Sequence, residues 1–286
     1  MQILLYLFLS VSLSAGRSIT SKKTAADAGR KAQFFLSQTV LFAAAALLLL
    51  LFGGAKWTTT APITLVYGLI YGLLLILSQW MFTLALKSGS TSVCSVVYSL
   101  GFILPTVSGT LFWNEEFKIS QLIGILISVV IILLSARKGD RDRKRDSRLF
   151  VPCIVTAMLA SGGLGIMQKV QQSSPAADEK GIFLLIAFGF AALCSLAAFL
   201  LCRERAEFTL SKALYPAMTG LCFGGANLCN TVLAGKMKSA VFFPLQNIST
   251  ILLTTLLGIV IFKEKLTPKT VSILLLGAAV ILLFSL

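Results

Sequence analysis

Histidine is absent from this 286-residue chain, and charged residues of either sign are scarce, at 13% of the total. Without histidine the chain has no imidazole metal ligand, no Ser-His-Asp triad and no histidine proton relay. A soluble domain carries about 25% charged residues, whereas 57% of this chain is apolar. The composition therefore excludes a soluble enzyme, and the same hydrophobicity excludes a disordered chain.

The few charges divide the chain into ten uncharged stretches, none shorter than 16 residues. A membrane-spanning helix needs about 20 apolar residues, so the pattern predicts an all-α membrane protein with ten transmembrane helices. Positive residues follow the first apolar stretch instead of preceding it, which predicts a retained helix and not a signal peptide. The six cysteines lie in or beside apolar stretches without CxxC spacing. They indicate small hydrophobic side chains, with no metal site and no cofactor.

The basic residues are unevenly divided between the two sets of predicted loops, with 19 Lys and Arg on one side and 6 on the other. Cytoplasmic loops collect positive residues, so we expect the richer side to be cytoplasmic and both termini to lie outside, in a multi-pass protein of the cell membrane. The net charge of +14 then reports orientation in the lipid bilayer and not a nucleic-acid partner. The largest basic group is the linker 137–148.

Two halves of the chain align when one is shifted by 149 residues. The offset holds from the first predicted helix of each half to the fifth, and the shared charges are the most informative because charges are scarce: Lys31 and Lys180, Lys87 and Lys236, Glu115 and Glu264. The sequence thus predicts a repeat at 1–136, the linker 137–148 and a second repeat at 149–286. Each repeat has five helices, an odd number, so the second enters the membrane inverted, as in many secondary transporters.

The ten helices, the five-plus-five repeat and the paired segments 112–115 (Phe-Trp-Asn-Glu) and 261–264 (Ile-Phe-Lys-Glu) together resemble the EamA-like branch of the drug/metabolite transporter superfamily. The resemblance implies a central cavity surrounded by predicted helices 1, 3, 4, 6, 8 and 9. In that family a glutamate commonly follows helices 4 and 9, where this chain has Glu115 and Glu264. We expect both to be structural and to cap the helix that follows, because a carboxylate is stabilised at a helix N-terminus.

Polar side chains within membrane helices usually face a cavity or another helix. Seven such residues are candidates for the wall of a substrate cavity: Gln79, Trp80, Tyr98, Asn227, Asn230, Gln246 and Asn247. The alternative is that the amides bond neighbouring helices and that the aromatic rings face lipid. Arg17 is an eighth candidate, since it either extends to the cytoplasmic headgroups or attracts an anionic group to the cavity.

These features favour a secondary transporter that moves a small polar metabolite, such as an amino acid or a sugar derivative, by alternating access. A transporter of drugs or quaternary ammonium cations with the same fold is the alternative, and a receptor or structural membrane protein is the alternative of another class. We do not expect an enzyme, because every acidic residue lies in a predicted loop or at a helix end. For the same reason we expect transport that does not depend on protonating a buried acid. The sequence leaves a homodimer open.

Overall fold

The computed structural model is entirely helical in the part of the chain that it describes. That part comprises residues 2–26, 31–54, 61–88, 91–116, 118–135, 147–202, 209–262 and 268–285. The absence of strands there confirms the predicted all-α class. The helices are α1 (Gln2–Ala26), α2 (Lys31–Phe52), α3 (Pro62–Ser88), α4 (Thr91–Ser99), α5 (Ile103–Trp113), α6 (Ile119–Ser135), α7 (Ser147–Gln172), α8 (Lys180–Leu201), α9 (Leu210–Lys236), α10 (Ser239–Phe262) and α11 (Pro268–Ser285).

The helices α4 and α5 form one rod, so the described elements correspond to the ten helices that the sequence predicts. Seven spans among them are long and apolar enough to cross a membrane. Two shorter apolar helices are found at 119–134 and 271–284. Although α9 has 27 residues, it is not among the seven, and its Lys212, Asn227 and Asn230 all lower its hydropathy. The chain is therefore a multi-pass membrane protein.

The join between α4 and α5 is a 3₁₀ turn at Leu100–Phe102, which the sequence prediction of one continuous helix did not include. Pro105 follows it within α5. Proline has no N–H for the carbonyl of Gly101 and its ring crowds that oxygen, so the regular helix is interrupted one turn earlier. The consequence is that the N–H of Ile103 bonds the carbonyl oxygen of Leu100, three residues earlier in the chain.

The described chain separates into two compact units, and each unit draws on both sequence halves. Unit 1 contains residues 1–76 and 170–235. Its centre is a set of aromatic rings in contact: Phe42 with Phe188, Phe188 with Phe223, and Tyr71 with Phe183. Phe42, Tyr71, Phe183 and Phe188 are fully buried. Their burial holds α2, α3, α8 and α9 together within this unit.

Unit 2 contains residues 77–169 and 236–286. Its aliphatic core joins α6, α10 and α11 through Ile131, Ile248 and Val280, all fully buried. Glycines bring backbones close elsewhere in the unit: a methyl group added at Gly101 would meet the carbonyl oxygen of Met158 at 2.8 Å, and one at Gly162 would meet that of Gly101 at 2.6 Å. Glycine at these positions therefore allows the two backbones to approach closely.

The helix bounds follow the spacing of the sequence repeat. Helix α2 begins at Lys31 and ends at Phe52, and α8 begins at Lys180 and ends at Leu201, so both ends are 149 residues apart. The two helices pack against each other within unit 1, and Gly53 lies against Gly181 after the end of one and at the start of the other. Equal length and equal spacing are what a duplicated five-helix segment would produce.

Candidate functional site

Two of the predicted cavity residues, Asn227 and Asn230, lie one turn apart on α9 in unit 1. The side-chain nitrogen of Asn227 donates to the carbonyl oxygen of Phe223 at 2.8 Å. Its side-chain oxygen accepts a hydrogen bond from the hydroxyl of Tyr71 at 2.5 Å. Because Tyr71 is fully buried and Asn227 only 6% exposed, this bond joins α3 to α9 away from water.

Asn230 makes a second bond of this kind, to α1. The hydroxyl of the fully buried Ser10 donates to the side-chain oxygen of Asn230. The side-chain nitrogen of Asn230 has no hydrogen-bond partner among the residues that the structure describes. Asn230 is half-buried, so two N–H donors on its amide are available to a bound molecule.

Arg17 lies against the same face of α9. Its guanidinium carbon is 3.5 Å from the centre of the Phe223 ring, a cation–π contact. One turn further along α1, the hydroxyl of Thr219 donates to that of Thr20 at 2.8 Å. The contact with Phe223 holds Arg17 inside unit 1, against the helix that carries the two asparagines. We name Ser10, Arg17, Tyr71, Phe223, Asn227 and Asn230 the amide–aromatic cluster.

The other five candidates lie in unit 2. Tyr98 is hydrogen-bonded to Ser78, with 2.8 Å between the hydroxyl oxygens, and its ring centre is 4.6 Å from that of Phe82. Gln79, Trp80 and Gln246 are each half-buried. The side-chain nitrogen of Asn247 donates to the carbonyl oxygen of Ser99 at 3.0 Å, the residue that precedes the 3₁₀ turn. The bond of Asn247 is therefore of the helix-joining kind.

Glu115 stabilises the start of α10. Its carboxylate accepts a hydrogen bond from the backbone N–H of Ser239 at 2.6 Å and forms an ion pair with Lys169 at 2.7 Å. Both side chains of the pair are about nine-tenths buried, at 9% and 10% exposed, and Lys169 also donates to the carbonyl oxygen of Met237 at 3.2 Å. The cap is on α10, whereas we expected it on the helix that follows Glu115 in sequence.

The backbone around Glu115 explains this difference. Asn114 adopts a left-handed conformation with φ 49° at the end of α5, and the N–H of Glu115 returns to the carbonyl oxygen of Gly109. The reversal turns the carboxylate back toward α5, where it lies against Gly109 and Ser239. A larger residue at 109 would occupy this space. Glu264 and residues 137–146 of the predicted linker lie outside the described residues.

Sequence reasoning did not single out Ser10, Tyr71 or Phe223, because a lone serine, tyrosine or phenylalanine in an apolar helix gives no distinguishing pattern. It also missed Glu179, whose carboxylate accepts a hydrogen bond from the N–H of Ala61 at 3.0 Å and another from the hydroxyl of Thr64, at the start of α3. No group of three potential metal ligands occurs within the described ranges. All six cysteines lie in those ranges and are free thiols.

Comparison with known proteins gives a family and a fold. The model of the family described as "Sugar transport protein" matches residues 13–286. No curated protein matches. Among solved structures, one described only as "Crystal structure of protein" is 17% identical, with a TM-score of 0.71 over 99% of this chain and 96% of the other, which shows a shared fold. Because the family match covers nearly the whole sequence, the chain belongs to the sugar transport protein family and is a membrane transporter.

Proposed function

We propose that this protein is a secondary transporter that carries a sugar or a closely related polyol across the cell membrane. The observation that carries the proposal is the family match over residues 13–286. The amide–aromatic cluster supplies fitting chemistry in unit 1. Sugar hydroxyls both donate and accept hydrogen bonds, and side-chain amides do the same.

Within the cluster, Asn230 is the residue that we propose bonds the sugar. Its side-chain nitrogen has two donors with no partner among the described residues, whereas the oxygen of Asn227 is occupied by Tyr71. Tyr71 and Ser10 then position the two amides. Arg17 adds a positive charge to the cluster, which favours neutral or anionic sugars over cations. The unit 2 candidates Gln79, Trp80, Tyr98, Gln246 and Asn247 remain predictions.

We propose alternating access between two inverted repeats as the mechanism, with an EamA-like arrangement. The equal bounds of α2 and α8, both related by the offset of 149, support a duplicated origin. An inverted pair of this kind can exchange two access states by rocking. The described acids Glu115, Glu116, Asp178 and Glu179 all lie between long helices, which supports uniport, exchange or coupling to an ion held by neutral oxygens.

The test is counterflow in proteoliposomes, with the purified chain in vesicles loaded with one unlabelled sugar at a time. Labelled sugar should accumulate transiently only when the loaded sugar is a substrate. Asn230→Ala should raise the half-saturating sugar concentration about tenfold. One hydrogen bond to a neutral partner is worth about 1 kcal/mol, and the Ser10 hydroxyl, which loses its bond to Asn230, adds to the loss. Thr254→Ala is the control, because within the described part of the chain its hydroxyl bonds only the backbone carbonyls of Thr250 and Ile251 in its own helix.

The proposed substrate class would be refuted if the chain is folded and inserted in the vesicles but none of the tested hexoses, pentoses and polyols supports counterflow. Sugar counterflow that Asn230→Ala and Thr254→Ala change equally would leave the substrate class intact and show that the sugar binds outside the amide–aromatic cluster.

A further inference from the structure

A cleft lies between the first turns of α2 and α9 in unit 1. Its polar residues are Gln33 and Ser37 on α2 and Thr209 and Lys212 at the start of α9. Val40 and Pro216 line it further along the two helices. The amide–aromatic cluster includes none of these residues, so the proposed transport of sugar does not use them.

Two glycine contacts show that α2 and α9 run parallel. A methyl group added at Gly220 would meet Leu41, and one at Gly224 would meet Ala45. Each contact pairs residues that are 179 apart, and the same offset pairs Lys212 with Gln33. Both helices therefore begin at the same end of unit 1, and the positive ends of both helix dipoles lie near Lys212.

Gln33 and Ser37 are buried without a hydrogen bond. They are 8% and 5% exposed, and neither side chain has a hydrogen-bond partner among the residues that the structure describes. An amide and a hydroxyl in this condition beside a lysine provide donors for a ligand with anionic oxygens.

The direction of the cleft distinguishes a lipid from a free ion. The polar residues lie near the starts of the two helices, and Val40 and Pro216 lie toward the helix centres. Helix α2 is one of the spans long and apolar enough to cross a membrane, so the polar end of the cleft lies near the level of lipid headgroups and the apolar end toward the level of acyl chains. A free phosphate would use only the polar part.

We propose that this cleft binds an anionic phospholipid, with the headgroup phosphate accepting hydrogen bonds from Lys212, Gln33 and Ser37 and one acyl chain packed on the partly exposed Leu36 and Val40. Charge-assisted hydrogen bonds to phosphate are the stronger kind. Lys212 lies on the predicted basic side of the chain, where anionic lipids attract positive residues.

The experiment measures the thermal midpoint of the purified full-length chain in detergent, titrated separately with dioctanoyl-phosphatidylglycerol, dioctanoyl-phosphatidylcholine and inorganic phosphate. Phosphatidylglycerol should raise the midpoint at lower concentration than phosphatidylcholine, and inorganic phosphate should have no effect. Lys212→Gln should weaken the apparent affinity for phosphatidylglycerol about tenfold. Lys238→Gln is the matched control, since it removes an equal charge from a half-exposed lysine at the start of another helix.

Gln33→Leu provides a second variant that keeps every charge. If this substitution itself changes the thermal midpoint, native mass spectrometry measures the number of lipids that the variant retains. Its retention of phosphatidylglycerol should fall as it does in Lys212→Gln. Equal losses in Lys212→Gln and Lys238→Gln would show general surface attraction and overturn the site. If inorganic phosphate stabilises the chain at the concentrations where phosphatidylglycerol acts, the proposal that the ligand is a lipid is wrong. It is also wrong if both cleft variants retain as much lipid as the unmodified chain.

Discussion

Replacing Glu115 by glutamine should destabilise unit 2 strongly. The substitution leaves an amide oxygen to accept from the N–H of Ser239, but it removes the charge that lies 2.7 Å from the buried amine of Lys169. Removing one partner of a buried pair costs about 3–5 kcal/mol, because the other charge stays buried without compensation. In a chain of this size, this corresponds to a fall in the thermal midpoint on the order of 10 °C.

Glu116→Gln is the matched control for this prediction. Glu116 is next in sequence and faces Lys238 at 3.9 Å, but its side chain is 90% exposed, and exposed pairs contribute less than about 1 kcal/mol. The double variant Glu115→Gln with Lys169→Met removes both buried charges, so it should recover most of the stability that the single variant loses.

The measurement is thermal unfolding of each variant in one detergent, followed by a thiol-reactive dye that reports exposure of the buried cysteines. A midpoint for Glu115→Gln within about 2 °C of that for Glu116→Gln, or a double variant less stable than the single one, would refute the reasoning. Transport per folded molecule should persist in Glu115→Gln, since we assign the carboxylate a structural role.

Single cysteines placed between 137 and 148, in a cysteine-free background, should resist an impermeant thiol reagent on whole cells; rapid labelling would place the basic side outside. Uptake into proteoliposomes at clamped potential should not accelerate steeply with an imposed pH gradient, and acceleration abolished by Glu115→Gln or Glu264→Gln would show proton coupling. Gly220→Ala should lower the thermal midpoint because its new methyl group meets the backbone oxygen of Leu41, while Gly189→Ala, with open space around it, should not. Three alanine substitutions should each weaken substrate affinity without preventing insertion, and unchanged transport in all of them would remove unit 2 from the site: Gln79→Ala, Tyr98→Ala and Asn247→Ala.

The sequence alone determined the helical class, the number of helices and the membrane environment. These properties depend on how the few charges are spaced along the sequence. In lipid, every sufficiently long apolar stretch must form a helix, because a helix makes all of its backbone hydrogen bonds internally. The observed bounds of α2 and α8 also differ by the offset of 149.

Only the tertiary structure decided which polar residues meet. Asn227 and Tyr71 are 156 residues apart and Glu115 and Ser239 are 124 apart, and nothing in a single sequence specifies partners at such separations. Glu115 shows the physical reason: a carboxylate at a helix end lowers the energy of any nearby helix N-terminus. The left-handed turn at Asn114 selected α10 over the helix that follows in the chain.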